Sequence, residues 1–198
     1  MAQYSNIFKI THNNLAPSKG NILIAEPFLK DAYFQRSVVL LTQHSSQGSL
    51  GFVLNKKLSM VVNDFFPELK NFSPIPIFLG GPVCSDRLFF IHTLERNIIP
   101  ESEKINDILS FDGNFDALKE YIISGHPVEG KIKFFLGYSG WDKDQLENEI
   151  QQNSWVVSKD SIPNMLHAKD ETFWKDSLHT LGGKYKNWVN YPKEPYYN

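Results

Sequence analysis

Two side chains in this sequence have the chemistry of a nucleophile, Ser139 and Cys84. Ser139 lies within Gly137-Tyr-Ser-Gly-Trp141, which follows the Gly-x-Ser-x-Gly pattern of a nucleophile elbow except at its last position, a tryptophan. Cys84 follows a Gly-Gly-Pro-Val segment and could use His44 or His92 as its base. An isolated cysteine, however, is more often a small buried hydrophobic residue. The sequence therefore favours a protein without catalytic residues. A hydrolase that uses Cys84 or Ser139 with a histidine is the alternative.

Metal and phosphate sites need spacings that this sequence lacks. Its histidines, at positions 12, 44, 92, 126, 167 and 179, form no His-x-His or His-Glu-x-x-His pair, and a single cysteine excludes a multi-cysteine metal site. Neither Gly-x-Gly-x-x-Gly nor a Walker-type glycine loop is present to cradle a phosphate. We therefore expect no metal and no cofactor.

The composition favours a folded protein of the cytoplasm. Of its 198 residues, 41% are hydrophobic and 14% aromatic, which is enough to bury a core. The 20 basic and 22 acidic residues give a net charge of −2, so no overall positive charge attracts nucleic acid. The densest basic stretch, residues 184–188, mixes basic and aromatic side chains that could stack on a base. Because there is no signal-peptide pattern and no apolar run of roughly 20 residues, we expect a cytoplasmic location, no membrane contact and no nucleic-acid partner.

The elements that must position these residues mix strands and helices irregularly. Apolar runs predict strands at 20–25, 37–44, 50–55, 75–79, 88–92, 131–138 and 155–157. Spacing and capping residues predict helices at 59–66, from about 114 to 125, from 142 to about 152 and at 171–181, with a turn at 137–141. This order favours an α+β fold with a mixed or antiparallel sheet. We expect one domain over 1–198, with an N-terminal extension over about 1–19 and an irregular tail over about 183–198.

Four segments, in one order along the chain, resemble the motifs of the YqgE/AlgH family, also called UPF0301. The first is Gly-Asn-Ile-Leu-Ile-Ala-Glu-Pro at 20–27, followed by Asp-Ala-Tyr-Phe-Gln-Arg-Ser-Val-Val-Leu-Leu at 31–41 and then His44. The second is Gly-Ser-Leu-Gly-Phe-Val-Leu-Asn at 48–55. The third is Leu-Gly-Gly-Pro-Val at 79–83, with Leu-Phe-Phe-Ile-His at 88–92. The fourth is Leu-Gly-Tyr-Ser-Gly-Trp at 136–141, with Gln145, Glu147, Glu149 and Trp155 after it.

The resemblance implies an α+β fold in which the sheet curls into a partly closed barrel with helices packed around it. It implies no activity. The family also carries the label of a transcriptional regulator, which is a further alternative, although no helix-turn-helix pattern supports it. Two positions depart from the family's pattern: Lys57 stands where proline is usual, and Ser139 stands where alanine is often found. The second departure counts against a serine nucleophile shared by the family.

The polar and turn residues of these motifs form our candidate binding site: Arg36, His44, Asn55, Gly80, Gly81, His92, Tyr138, Trp141, Gln145 and Glu147. We expect the site where the 48–55 hairpin, the 80–83 turn and the 137–141 turn converge. Arg36 has two interpretations, a structural ion pair with Glu147 or a contact to an anionic group of a ligand. The function that we predict is non-catalytic binding of an unknown small molecule or protein.

Overall fold

The computed structural model describes residues 10–159 and 165–193. Within them the chain forms these strands: β1 Ile22–Ala25, β2 Val38–Ser45, β3 Gly48–Val53, β4 Lys57–Val61, β5 Pro76–Leu79, β6 Val83–His92, β7 Glu103–Lys104, β8 Ser110–Phe111, β9 Ile132–Asp142 and β10 Trp155–Ser158. The α-helices are α1 Phe115–Ile123, α2 Gln145–Gln151 and α3 Glu171–Leu181. Short 3₁₀ segments are Val62–Asp64, Pro67–Leu69, Met165–His167 and Gly183–Asn190. The predicted α+β class is confirmed.

The strands form one mixed sheet built around β9. The main path, in the order β10-β1-β2-β3-β9-β6-β8-β7, is antiparallel throughout, whereas β5 pairs with β9 in parallel and with β4 in antiparallel orientation. On one side of β9, residues 134–136 pair with β5 and residues 139–142 pair with β3. In the described part of the chain no ladder joins β10 to β7, so strand pairing leaves the sheet open. It therefore does not show the partly closed barrel that the resemblance implies.

Helices cover both faces of the sheet, because side chains alternate between the faces along each strand. On one face, Ile24 and Leu40 pack with Trp174 and Leu178 of α3. On the opposite face, residues such as Leu23 and Val39 pack with the apolar side of α2. A third cluster joins α1 to β5, β6 and β9. None of the described helices is both long and apolar enough to cross a membrane.

The predicted helix at 59–66 is wrong. The chain instead forms β4, in which Lys57 pairs with Phe78 and Val61 pairs with Pro76, followed by the 3₁₀ segment Val62–Asp64. Exposure alternates along β4, with Leu58 and Met60 half-buried against the third cluster. Pairing with a neighbouring strand therefore outweighs the helix-start signal of a serine.

The predicted turn at 137–141 is also wrong, because β9 runs without a break through Asp142 and pairs there with β3. The helix that follows begins at Gln145, later than predicted. The tail is ordered over Gly183–Asn190, where Tyr185 and Trp188 are buried in the core and so cannot stack on a base. Residues 1–9 of the predicted extension and residues 194–198 of the predicted tail lie outside the described residues.

Candidate functional site

At one end of the sheet β3 lies beside β9, which brings together the 48–55 and 137–141 segments of the predicted site. Gly48 and Leu50 of β3 pair with Asp142 and Gly140 of β9. Beside this ladder lies an open groove of about 750 Å³. Its lining comes from both segments and their neighbours: Lys19, Gln43, His44, Ser45, Gln47, Gly48, Ser49, Leu50, Val83, Glu103, Tyr138, Gly140, Trp141, Asp142 and Gln145. Four of the ten candidate residues, His44, Tyr138, Trp141 and Gln145, therefore line one groove.

Gly80 and Gly81 do not line the groove but lie against β9, which contributes to its lining. Both are buried, and the Gly80 carbonyl accepts hydrogen bonds from Val53 N and Ser139 Oγ, each at 2.9 Å. A Cβ atom on Gly80 would lie 2.1 Å from the Gly137 carbonyl oxygen. On Gly81, whose φ is +156°, it would lie 2.4 Å from the Ser139 nitrogen. Two backbones cross here at a distance that only glycine permits.

His44 lies on the rim of the groove, at the end of β2. Its Nδ1 atom lies 2.8 Å from Ser49 Oγ across the hairpin. Its Nε2 atom lies 3.7 Å from a carboxylate oxygen of Glu147, in the first turn of α2. The imidazole is only partly buried, so it can exchange either contact for one with a bound molecule.

Trp141 and Gln145 are held by a residue outside our candidate list, Glu149. The indole N–H groups of Trp141 and Trp155 donate to Oε2 of Glu149 at 2.9 and 2.8 Å, and Gln145 Nε2 donates to Oε1 at 2.9 Å. Gln145 Oε1 in turn accepts from Asp142 N at 2.9 Å. The i, i+4 spacing of Gln145 and Glu149 is the sequence signal that could have identified this network.

The lining of the groove also includes an exposed ion pair between Lys19 and Glu103. Lys19 Nζ lies 2.8 Å from Glu103 Oε1, and Gln43 Nε2 donates to the other carboxylate oxygen at 3.2 Å. The hydrogen bond from Lys19 is the main reason that the pKa of Glu103 lies below its usual value. A bound molecule could therefore contact both a cation and an anion of this ion pair.

Arg36 lies outside the groove, and its partner is Glu171 rather than Glu147. The guanidinium pairs with Glu171 and donates to the Tyr191 carbonyl at 2.6 Å, and its carbon atom lies 5.0 Å from the centre of the Trp174 ring. Burial alone would raise the pKa of Glu171, but hydrogen bonds and charges from Lys193 and Arg36 outweigh it and lower the pKa. The Glu147 pairing is wrong because α2 and α3 cover opposite faces of the sheet.

Asn55 is a buried residue that connects the backbone segments around Arg36. Its Oδ1 accepts from Val38 N at 2.9 Å, and its Nδ2 donates to the carbonyls of Arg36 and Asp170 at 3.0 and 3.1 Å. These bonds join the starts of β2 and α3. Asn55 therefore lies away from the groove.

His92 is fully buried at the end of β6. Its Nε2 atom lies 3.1 Å from the Asp112 carbonyl, and its Nδ1 accepts from Leu94 N at 3.2 Å. These contacts fit a neutral ring with its proton on Nε2. Burial lowers the pKa of His92, although the two backbone hydrogen bonds oppose the shift.

The two nucleophile candidates lie in different settings. Ser139 is fully buried, and its hydroxyl donates to the Gly80 carbonyl. Cys84 is exposed, at a positive φ of 48° in the irregular part of β6. In the described ranges no group of three or more His, Cys, Asp or Glu side chains is placed to hold a metal ion.

Fold and groove together define an α+β protein with an open polar groove at one end of its sheet, and comparisons with known proteins define its family. A family model described as AlgH-like (DUF179) matches residues 22–186. The UPF0301 protein of Parabacteroides distasonis is 62% identical over 198 residues, which is 100% of both chains. That of Bacteroides fragilis is 46% identical over 194 residues, or 98% of each chain. The chain belongs to the AlgH-like family, UPF0301, and the resemblance read from its motifs is confirmed.

Two solved structures share the fold. The crystal structure of protein DIP2367 from Corynebacterium diphtheriae gives a TM-score of 0.73 at 21% identity, covering 92% of this chain and 95% of that one. The solution structure of the AlgH protein from Pseudomonas aeruginosa gives 0.67 at 25% identity, covering 97% and 98%.

Proposed function

We propose that this protein is a cytoplasmic, non-catalytic binding module, and that the groove beside the β2–β3 hairpin holds a small polar ligand or a short segment of another protein. One observation carries the proposal. Side chains from separate elements, His44 of β2, Tyr138 of β9 and Gln145 of α2, line the same open groove of about 750 Å³. Polar groups that converge from separate elements on one concave surface can fix the orientation of a bound molecule.

The contacts of Ser139 and of the histidines support binding over hydrolysis. A serine nucleophile needs a base within hydrogen-bond reach. The Ser139 hydroxyl instead donates to a carbonyl, while His44 contacts Ser49 and His92 contacts the backbone. Within the described part of the chain, neither histidine forms a hydrogen bond with Ser139 or Cys84. The regulator alternative has weaker support, because the net charge is −2 and the aromatic rings of the basic tail are buried.

A thermal-shift screen against metabolites, nucleotides and short peptides tests the proposal. A ligand present at about 100 times its Kd adds about 2.7 kcal/mol to stability. The screen is repeated with His44→Ala, which removes a rim side chain, and with His179→Ala, an exposed histidine on α3, as the matched control. We expect at least one compound or peptide that stabilises the wild type and His179→Ala but not His44→Ala. A flat screen, or a stabilisation that His44→Ala retains in full, would contradict the proposal.

A further inference from the structure

A second cavity, separate from the groove, lies against β5 and the first part of β9. Its volume is about 520 Å³. Apolar side chains form much of its lining: Phe72, Pro74, Phe78, Ile122, Val128 and Ile132. Its charged or titratable lining residues are Lys57, Lys133, Lys169, His126, His167 and Glu129. The lining thus carries three lysines and a single carboxylate. The cavity is large enough for a small organic molecule.

Lys133 is the unusual member of this lining, because it is buried within a strand. Its ammonium donates to the Ala168 carbonyl, and Nζ lies 3.4 Å from the Leu166 carbonyl oxygen and 3.4 Å from the centre of the Phe78 ring. Within residues 10–159 and 165–193, no carboxylate forms an ion pair with Lys133, Lys57 or Lys169. A buried cation without a carboxylate carries a large desolvation cost.

The surroundings of Lys133 disfavour its charged form. Burial lowers the pKa of Lys133 to about 7, and the nearby charge of Lys169 adds to the effect. An anion placed in the cavity would offset both the desolvation and the repulsion between the two lysines. Acetate or another small anion would leave the apolar walls unused.

We propose that this cavity binds an amphipathic organic anion, with its carboxylate or phosphate group beside Lys133, Lys169 and Lys57 and its apolar body against Phe72, Phe78 and Ile122. The two lysines nearer the solvent, Lys57 and Lys169, are exposed and give the entrance a positive charge. A neutral molecule of the same shape could fill the apolar space but could not compensate the buried ammonium. The charge of the ligand is therefore decisive.

The proposal predicts the direction of the pH dependence. The anion binds the ammonium form of Lys133 in preference to the amine, so bound anion raises the pKa of Lys133 and affinity increases as pH falls through about 7. The other charged or titratable groups that line the cavity are His126, His167, Glu129 and the two exposed lysines. The variants His126→Gln and His167→Gln separate the contribution of the histidines from that of Lys133.

Titration calorimetry with octanoate, octanol and acetate tests the proposal. We expect saturable binding of octanoate to the wild type, and binding of octanol and acetate that is weaker by about tenfold or more, which corresponds to about 1.4 kcal/mol. Lys133→Met keeps most of the length of the side chain without its charge and should weaken octanoate binding by about tenfold or more. Lys131→Met, an exposed lysine two residues earlier that does not line the cavity, is the matched control and should change it little.

The exposed variants Lys57→Gln and Lys169→Gln keep the test decisive if Lys133→Met does not fold, because each should weaken octanoate binding several-fold while leaving Lys133 in place. His44→Ala should leave octanoate binding unchanged, which separates this cavity from the groove. Equal affinity for octanoate and octanol would overturn the proposal. So would the absence of saturable octanoate binding to the folded wild type.

Discussion

His44 and Glu147 face each other across the gap between the β2–β3 hairpin and α2, with Nε2 and Oε1 3.7 Å apart. The histidine lies near the end of β2 and the glutamate lies in the first turn of α2, so the pair joins two elements that are far apart in the sequence. Both side chains are partly exposed, 19% and 43%, and a contact of this kind contributes little to stability. The contact holds the ring of His44, which lines the groove, beside a carboxylate of α2.

Glu149 should be more important than its neighbour Glu147 for the stability of this end of the fold. Glu149→Ala leaves the indole N–H groups of Trp141 and Trp155 without their acceptor, which should cost about 2 kcal/mol. Urea unfolding measures the loss, and tryptophan fluorescence reports the altered surroundings of the rings. Glu147→Ala is the control and should cost less than about 0.5 kcal/mol. Equal effects of the two substitutions would contradict the role of Glu149.

Gly80 should tolerate no side chain. In Gly80→Ala the new methyl group would meet the Gly137 carbonyl oxygen at 2.1 Å and Phe52 Cδ1 at 2.9 Å, so one of the crossing backbones must move. We expect a loss of about 3 kcal/mol or more, or no folded protein. Gly140→Ala, in which the nearest atom is a Tyr138 ring carbon at 3.3 Å, should remain folded. Thermal unfolding monitored by circular dichroism compares the two, and a stable Gly80→Ala protein would show that the crossing is looser than described.

We expect the main effect of Arg36 to be on the stability of the fold. Arg36→Ala leaves Glu171 with only its lysine contacts and should cost about 2–3 kcal/mol, less than a fully buried pair because Glu171 is partly exposed. The lowered pKa of Glu171 means that its ionised form stabilises the fold above the usual pKa of 4.5, and that this contribution is lost as pH falls through the lower folded value. The difference between wild type and variant should therefore shrink below pH 4.5.

Chemical denaturation at a series of pH values measures that difference. Arg87→Ala is the control, because Arg87 lies 3.8 Å from Asp112 with 66% of its side chain exposed, and its removal should change stability by less than about 0.5 kcal/mol. A cost for Arg36→Ala that does not decrease in acid would show that the lost packing on Trp174, rather than the ion pair, is responsible.

His92 should make the fold sensitive to mild acid. Because the pKa of His92 is lowered in the folded protein, the unfolded chain binds the proton more readily below its usual value of 6.5, and stability falls as pH decreases from there. The slope from one such group is at most about 1.4 kcal/mol per pH unit. His92→Gln should have lower stability at neutral pH and a flatter dependence between about pH 7.5 and 5.5. An unchanged slope in the variant would contradict this account.

The sequence predicted what depends on local pattern. Apolar runs located most of the strands, and Asn114, whose side chain accepts from Ala117 N, marked the start of α1. β4 was missed because a strand of five residues depends on pairing with β5, from which two 3₁₀ segments separate it along the chain.

The same limit applies to the candidate site. Four of the ten motif residues line the groove. One-dimensional spacing could not show that Arg36 faces α3, or that Lys133 is buried beside a cavity. The signal for Lys133 was present, since a lysine within an apolar run of a strand must either reach solvent or find partners inside the protein.

The measurement that tests the central claim most directly is amide chemical-shift mapping of isotope-labelled protein titrated with the strongest hit of the ligand and peptide screen. The groove account predicts that the shifts concentrate at residues 43–50 and 138–145, and that they are lost in His44→Ala and retained in His179→Ala. Shifts that lie elsewhere, or that persist in His44→Ala, would contradict the claim that this groove is the binding site.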